Sequence, residues 1–369
     1  MTFLVQAKDQ RTMARTGELT TTHGIVQTPV FMPVGTKGAV KTMTPALLRD
    51  LGCTILLSNT YHLALRPGEE ILREFHGLHH FMAWDGPILT DSGGYQVFSL
   101  AKLAGVSEEG VRFHSHIDGS AVTFTPESVI RFQRVIDSDI IMPLDQPIPS
   151  PCTKDAAAEA MGRTHRWLKR SLEEPRGEHQ LLFGIIQGSV FDDLRAESAQ
   201  FVRECGLPGF ALGGFRLGED SATMDRSLRA ALLPLPEEKP RYLMGVGTPS
   251  DIIRSVAAGV DMFDCILPTR LGRNGCAYTG EGIVKIRNNR HRLAHEPLGK
   301  NCACYCCRTF SRAYLRHLFV TEEILGPAML SLHNIHFYLT LMADIRAAIA
   351  SGTYEAFMRE RLKEALKER

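Results

Sequence analysis

The 369-residue chain has no surplus of either charge, with 42 lysines and arginines against 41 aspartates and glutamates and a net charge of +1. That balance excludes a generally basic nucleic-acid protein, so any contact with a polyanion must come from a local patch. Tryptophan is scarce, limited to Trp84 and Trp167, which leaves few platforms for stacking sugars. No apolar run approaches the roughly 20 residues of a membrane-spanning helix. The opening MTFLVQAKDQR also lacks the basic-then-apolar order of a signal peptide. A cytoplasmic protein with no membrane partner is expected. Internal repeats and low-complexity tracts are missing too. What remains is an ordinary globular composition, 44% hydrophobic, enough to fill one large domain with an appendage.

Short apolar runs at 29–34, 54–57, 88–89, 140–144, 181–186, 210–212, 242–246 and 260–266 mostly end in polar or glycine residues. Amphipathic stretches separate most of them, at 45–51, 126–136, 154–172, 192–205, 222–232 and 249–258. Eight alternations of near-continuous apolar strands with helices predict an α/β fold, a (β/α)8 TIM barrel; a doubly wound open sheet is the competing arrangement. Residues 111–125 alternate around Asp118-Gly119 and predict a hairpin excursion. The expected division is a barrel over 1–274, a zinc-binding appendage inserted near the C-terminus over 275–329, and helices over 330–369 completing the barrel. The charged tail from Glu355 to Arg369 reads as a solvated helix end.

Of nine cysteines, four crowd into Cys302-x-Cys304-x-Cys306-Cys307, and His333 and His336 follow. This density suits a reduced compartment and a closed, structural zinc site better than disulfides. Spacing alone does not choose between Cys306 and Cys307, or between His333 and His336.

In a barrel the carboxyl ends of the strands form the active rim, and Asn59, Asp91, Asp145, Gln187, Gly214, Gly247 and Asp264 fall there. Asp264 sits among Met262, Phe263, Cys265 and Ile266, where an ionised carboxylate needs a partner or a job. Arg270 and Arg273 follow in a basic loop suited to phosphates. Asp91 opens Asp91-Ser92-Gly93-Gly94-Tyr95-Gln96, whose glycines admit a ligand close to the backbone. Gln187-Gly188 and Gly213-Gly214 offer an amide and backbone N–H groups, Asp145 can accept from ring N–H donors, and Tyr95 and Met244 can cover a flat ring. Together they describe a pocket for a purine-like base with two carboxylates near its sugar. Such a pair suggests covalent glycosyl transfer, one carboxylate attacking the anomeric carbon and the other handling protons.

The stretches DSGGYQVFSL (91–100), GIIQG (184–188), RYLMGVG (241–247), DMFDC (261–265) and LPTR (267–270) resemble the motifs of bacterial tRNA-guanine transglycosylases, in order and over nearly the whole chain. The resemblance implies exchange of the wobble guanine in GUN-anticodon tRNAs (Asp, Asn, His, Tyr) for 7-aminomethyl-7-deazaguanine in queuosine biosynthesis. It implies Asp264 as nucleophile, Asp91 as general acid/base, and Asp91, Tyr95, Asp145, Gln187, Gly214, Glu219 and Met244 around the base. Arg270 and Arg273 would contact the tRNA anticodon loop. It places one zinc on Cys302, Cys304, Cys307 and His333, leaves Cys306 as an extra thiol, and implies a homodimer holding one tRNA.

Departures are local. After the glycine pair, where bacterial members carry Leu-Ala-Val-Gly-Glu, this chain has Phe215-Arg216-Leu217-Gly218-Glu219, and Pro147 replaces a usual small Cys. An inward Arg216 would oppose a cationic aminomethyl arm, whereas Glu219 stays available to pair with it. Queuine is therefore the competing inserted base. A glycoside hydrolase needs neither the zinc turn nor the arginine loop, and a non-catalytic tRNA-binding subunit should lack part of the Asp91–Asp264 pair.

Overall fold

The computed structural model describes residues 3–100 and 105–366, so residues 1–2 and the last part of the charged tail, 367–369, lie outside it. Eight parallel strands follow one another around a barrel: β1 (Val30–Pro33), β2 (Leu56–Asn59), β3 (Ile88–Asp91), β4 (Ile140–Ile141), β5 (Leu181–Ile186), β6 (Gly209–Leu212), β7 (Arg241–Leu243) and β8 (Met262–Cys265). β8 pairs with β1 through Asp264↔Met32, and the bridge Val34↔Leu57 joins β1 to β2, so the sheet closes and the TIM barrel expected from the strand pattern is present. The open-sheet alternative fails at that bridge.

Side-chain alternation sorts each strand into two faces. Val30, Met32, Leu57, Leu89, Ile140, Phe183, Ile185, Ala211, Tyr242 and Met262 fill the interior. Their neighbours Phe31, Ile141, Leu182, Phe210, Leu212, Leu243 and Phe263 face the surrounding helices. Both faces are dry, which is why the strands read as continuous apolar runs.

An antiparallel sheet of Phe3–Lys8, Arg15–Thr21 and Gly24–Thr28 was not anticipated. Its Phe3, Leu19 and Val26 join the interior cluster at the strands' amino ends and close that mouth. From the same sheet Arg15 reaches Asp261 with Nε–Oδ1 at 2.9 Å and Nη2–Oδ2 at 2.6 Å, both groups buried. Asp261 also accepts the N–H of Arg241. The first of the two aspartates in the eighth run is thus a structural brace, which separates it from Asp264.

The hairpin appears as Val111–His114 paired with Ala121–Phe124, with the short strand Gly105–Val106 added at its edge. Pro126–Ile136 follows, its first turn capped by Thr125 and Ser128. After β8 come Leu267–Arg273, a small hairpin (Cys276–Thr279 with Gly282–Lys285), the cysteine turn, and the long helix Leu325–Ala350. That helix begins ahead of the expected 330 boundary. Gly326-Pro327 reads as a breaker, but a proline in a helix's first turn loses no hydrogen bond, and Ser331 Oγ closes on the Pro327 carbonyl. The helix occupies the eighth helical place: Tyr338 packs on Phe31, and Arg346 binds the Pro29 carbonyl at 2.7 Å. No helix among the described residues is long and apolar enough to cross a membrane.

Candidate active site

Inward alternation carries Asn59, Asp91, Gln187 and Asp264 to the carboxyl-end mouth, each two positions beyond the inward Leu57, Leu89, Ile185 and Met262. Asp264 Oδ1 receives the Tyr242 hydroxyl at 2.6 Å and the Gly245 N–H at 2.7 Å. Oδ2 takes no hydrogen bond from the described residues. Burial raises the Asp264 pKa, and the two donors pull it back. The carboxylate is therefore held by one oxygen and offers the other, as a nucleophile requires.

Asp91 is built differently. Oδ2 accepts from Asn59 Nδ2 at 2.6 Å and Gln96 Nε2 at 2.8 Å, and Oδ1 accepts the Thr60 N–H at 3.0 Å. Burial lifts its pKa to about 6, the donors lower it, and the charge of Asp264 adds to the rise. A carboxyl titrating near neutrality can both give and take a proton.

A connected polar chain runs along the same rim. Ser92 Oγ and Gln187 Nε2 each donate to Asp145 at 2.8 Å, one to each carboxylate oxygen. Gly94 approaches so closely that a Cβ there would lie 2.6 Å from the Asp145 carbonyl. Gln187 in turn abuts Gly213-Gly214, where an added Cβ would meet its amide at 2.6–2.7 Å. Asp91, Asp145, Gln187 and Gly214 thus converge on one rim. Tyr95 stands half exposed, at 52%, on the first turn after the Gly93-Gly94 pair, and Met244 is half-buried at the end of β7.

The loop after Gly214 differs from expectation. Glu219 turns its carboxylate onto its own loop, accepting the N–H groups of Arg216 and Leu217, so it is not simply free for a ligand. Arg216 places Nε 3.0 Å from Asp251 Oδ2 and also binds Ser221, which pairs its charge. Backbone amides two and three residues back compete for the glutamate, a contact that residue type alone does not reveal.

Arg270 is exposed and Arg273 half-buried on Leu267–Arg273. Partial burial lowers the Lys41 pKa, and the charges of Arg273 and Lys37 lower it further. These three cations form one basic patch, contributed by the loop after β1 and the helix after β8. Lys37 and Lys41 escaped the sequence reading because they lie in the loop after β1, which only barrel closure brings beside β8. Asn59 was placed on the rim by sequence but given no partner, and Tyr242 and Gln96 were not singled out; the structure shows all three donating to the two aspartates. Tyr242 shares an inward face with Met244, and that period of two was the available signal. Arg195, four carbonyl contacts beneath Gly213-Gly214, looked like one more charge on an amphipathic helix.

In the appendage, the ligand atoms of Cys302, Cys304, Cys307 and His333 lie within 4.8 Å of one another. His333 Nδ1 is 3.6, 3.5 and 3.3 Å from the three sulfurs. Tetrahedral bonds of about 2.3 Å to sulfur and about 2.0–2.1 Å to nitrogen require about 3.6 Å between S and N, so the donor set fits a metal ion. His333 Nε2 lies 2.7 Å from the Tyr278 carbonyl, an acceptor only, which leaves the Nδ1 lone pair facing the thiols. Cys306 is fully buried among apolar side chains, and His336 approaches Cys302 but no other cysteine sulfur. The grouping that could hold a metal thus contains Cys307 and His333, the pair that spacing left open. Another grouping, His23–His79–Asp139, lies at the barrel's amino end. Its imidazoles stack at 3.7 Å with planes 16° apart. Nearly parallel planes share no point within bonding reach, so both rings cannot hold one metal; His23 donates to Asp139 at 2.9 Å, and His79 Nε2 sits between the Gly86 carbonyl at 3.1 Å and Asp139 at 3.3 Å.

A family model described as queuine tRNA-ribosyltransferase matches residues 9–367. The chain belongs to this family, the tRNA-guanine transglycosylases. It is similar to queuine tRNA-ribosyltransferases from Pelotomaculum thermopropionicum (52% identical, 95% of each chain), Nitrosomonas eutropha (51%, covering 97% of this chain and 98% of the relative) and Dictyoglomus turgidum (49%, covering 100% and 96%).

Proposed function

We propose that the protein exchanges the wobble guanine of GUN-anticodon tRNAs for 7-aminomethyl-7-deazaguanine through a covalent ribosyl-aspartate. The observation that carries this reading is the asymmetric carboxylate pair, Asp264 anchored by Oδ1 alone and Asp91 held near neutrality. Asp264 Oδ2 attacks the ribose anomeric carbon as the bond to the guanine nitrogen breaks, and Asp91 in its protonated form donates to the departing base. The incoming base gives its ring proton back to Asp91, its nitrogen displaces Asp264, and the pair returns to its starting state.

Asp145 accepts from the ring N–H groups, Gln187 and the Gly214 N–H read the carbonyl edge, and Tyr95 and Met244 cover the ring. Lys37, Lys41, Arg270 and Arg273 hold backbone phosphates, and the guanosine leaves its stack to reach the pocket. Cys302, Cys304, Cys307 and His333 hold zinc, which supplies a closed structural cross-link. The domain division at 275 and 330 goes with it: a metal-pinned appendage set between the eighth strand and the final helix. Exposed Tyr305, Tyr314, Val320 and Ile324 on that appendage support a homodimer. A tRNA substrate places the work in the cytoplasm.

A denaturing gel of protein, RNA and a 7-deazaguanine base tests the roles. Wild type traps an adduct and Asp264→Ala does not; an adduct with Asp264→Ala but none with Asp91→Ala reverses the assignment. Queuine stays the second reading because of Arg216, Leu217 and Pro147. Pairing of Arg216 with Asp251 favours the aminomethyl base, since little repulsion toward a cationic arm is left. With both bases at equal concentration, predominant incorporation of queuine decides against it.

A further inference from the structure

Arg195 is out of place by every local rule. It stands in the first turn of Asp192–Glu204, where the helix dipole disfavours a cation, and it is fully buried without an ion pair among the described residues. Burial holds its pKa down at about 9, with Glu219 opposing at longer range. What offsets this is a fan of four carbonyls: Ser189 at 2.7 Å, Ile186 at 3.2 Å, Gly213 at 2.7 Å and Gly214 at 3.2 Å. The Phe215 ring lies 3.9 Å beneath the guanidinium.

In a planar trans peptide the C=O and the following N–H point opposite ways. With the Gly213 and Gly214 carbonyls both on Arg195, the N–H groups of Gly214 and Phe215 point away from it. Gly214 has φ +71°, the left-handed value that lets successive N–H groups line up as an anion-binding concavity. Neither N–H meets an acceptor among the described residues. The Gln187 amide borders the same turn.

The geometry assigns Arg195 a positioning role: from beneath the rim it orients two consecutive peptides so that their N–H groups read the carbonyl edge of a guanine-type base. This rests on the base-exchange reading above. Arg195 touches no substrate and acts only through Gly213, Gly214 and Phe215. The edge it governs is common to guanine and its 7-substituted deaza analogues, so the role concerns every base the pocket takes, whatever its arm.

The test is labelled-guanine exchange into an anticodon stem-loop by the full-length protein, comparing Arg195→Gln and Arg195→Lys with wild type. Arg195→Gln should raise the KM for guanine about tenfold or more, the cost of disordering a buried donor pair. Lysine, a point charge that cannot span four carbonyls, should restore part of this. The KM for RNA should stay within about twofold and the metal content unchanged, since a global defect would move all three. Equal movement of both KM values, or a guanine KM unchanged in either folded variant, overturns the role. If the glutamine protein does not fold, the lysine protein decides, with a rise of about threefold expected. A wild-type protein that exchanges no guanine defeats the underlying reading instead, so the two failures are distinct.

Discussion

Asp91→Asn should change how stability depends on pH, in a direction and by an amount that the site itself sets. Burial, assisted by the charge of Asp264, raises the Asp91 carboxyl from 3.8 to about 6 against the pull of Asn59, Thr60 and Gln96. The native state therefore binds the proton more tightly than the unfolded chain does. Its contribution to stability is fully present below about pH 3.8 and is lost as pH rises through about 6. At about 1.4 kcal/mol per tenfold change in proton affinity, the rise corresponds to about 3 kcal/mol. Asparagine cannot ionise, so the variant keeps what wild type loses. The new amide does place N–H groups against the Asn59 and Gln96 donors. That cost does not depend on pH, so it displaces the variant's curve without bending it. With an unfolding entropy of about 2.1 cal/mol/K per residue, about 3 kcal/mol over this chain is about 4 °C. The measurement is Tm of both proteins by scanning fluorimetry from about pH 4 to about pH 8. The variant-minus-wild-type difference should grow by about 4 °C with rising pH while exchange activity disappears. Acid release of metal affects both proteins and cancels. A difference that stays flat, or shrinks as pH rises, refutes the assignment of Asp91 as a carboxyl whose proton affinity its surroundings raise.

The metal centre and the basic patch give two more predictions. Elemental analysis should find about one zinc per chain in wild type and Cys306→Ser, and none in Cys307→Ser, where a tetrahedral donor is lost. In Cys307→Ser the KM for tRNA should rise more than kcat falls, because Asn334, next to ligand His333, holds the Pro268 carbonyl at 2.9 Å on the helix that bears the arginines. Replacing Arg270 or Arg273 with alanine should raise the KM for tRNA and flatten the salt dependence of binding, leaving affinity for the free base unchanged. An unchanged salt slope in both would remove these arginines from the interface.

Much of the site was legible because it is made of rare events on a regular background. A polar residue at the end of an apolar run stands out, and this exposed Asp91, Asp145, Gln187 and Asp264. The same logic was blind where the background is itself polar or the partner is apolar in composition. Asp261 and Asp264 interrupt one run and look equivalent, yet they serve opposite ends of the barrel: Asp261 braces Arg15, and Asp264 faces the mouth. Glu219 looked free because its partners are backbone amides, which carry no sequence signal. The N-terminal sheet was missed because its outer face is solvated and its strands lack continuous apolar runs.

Local chain properties determined the strands, most of the helices, the hairpin and the thiol-rich turn. Each depends on alternation, caps and residue spacing within about twenty positions, and those are written in the sequence. Closure of the barrel was decided only by tertiary structure. Pairing of β8 with β1 brings Lys37 and Lys41 beside Arg273, although more than two hundred residues separate them in the chain. Folding of the appendage onto Leu325–Ala350 likewise selects Cys307 and His333 over Cys306 and His336. Burial gives Asp91 and Arg195 their altered proton affinities. Contacts between distant segments and exclusion of water are properties of the packed molecule, and no window of sequence contains them.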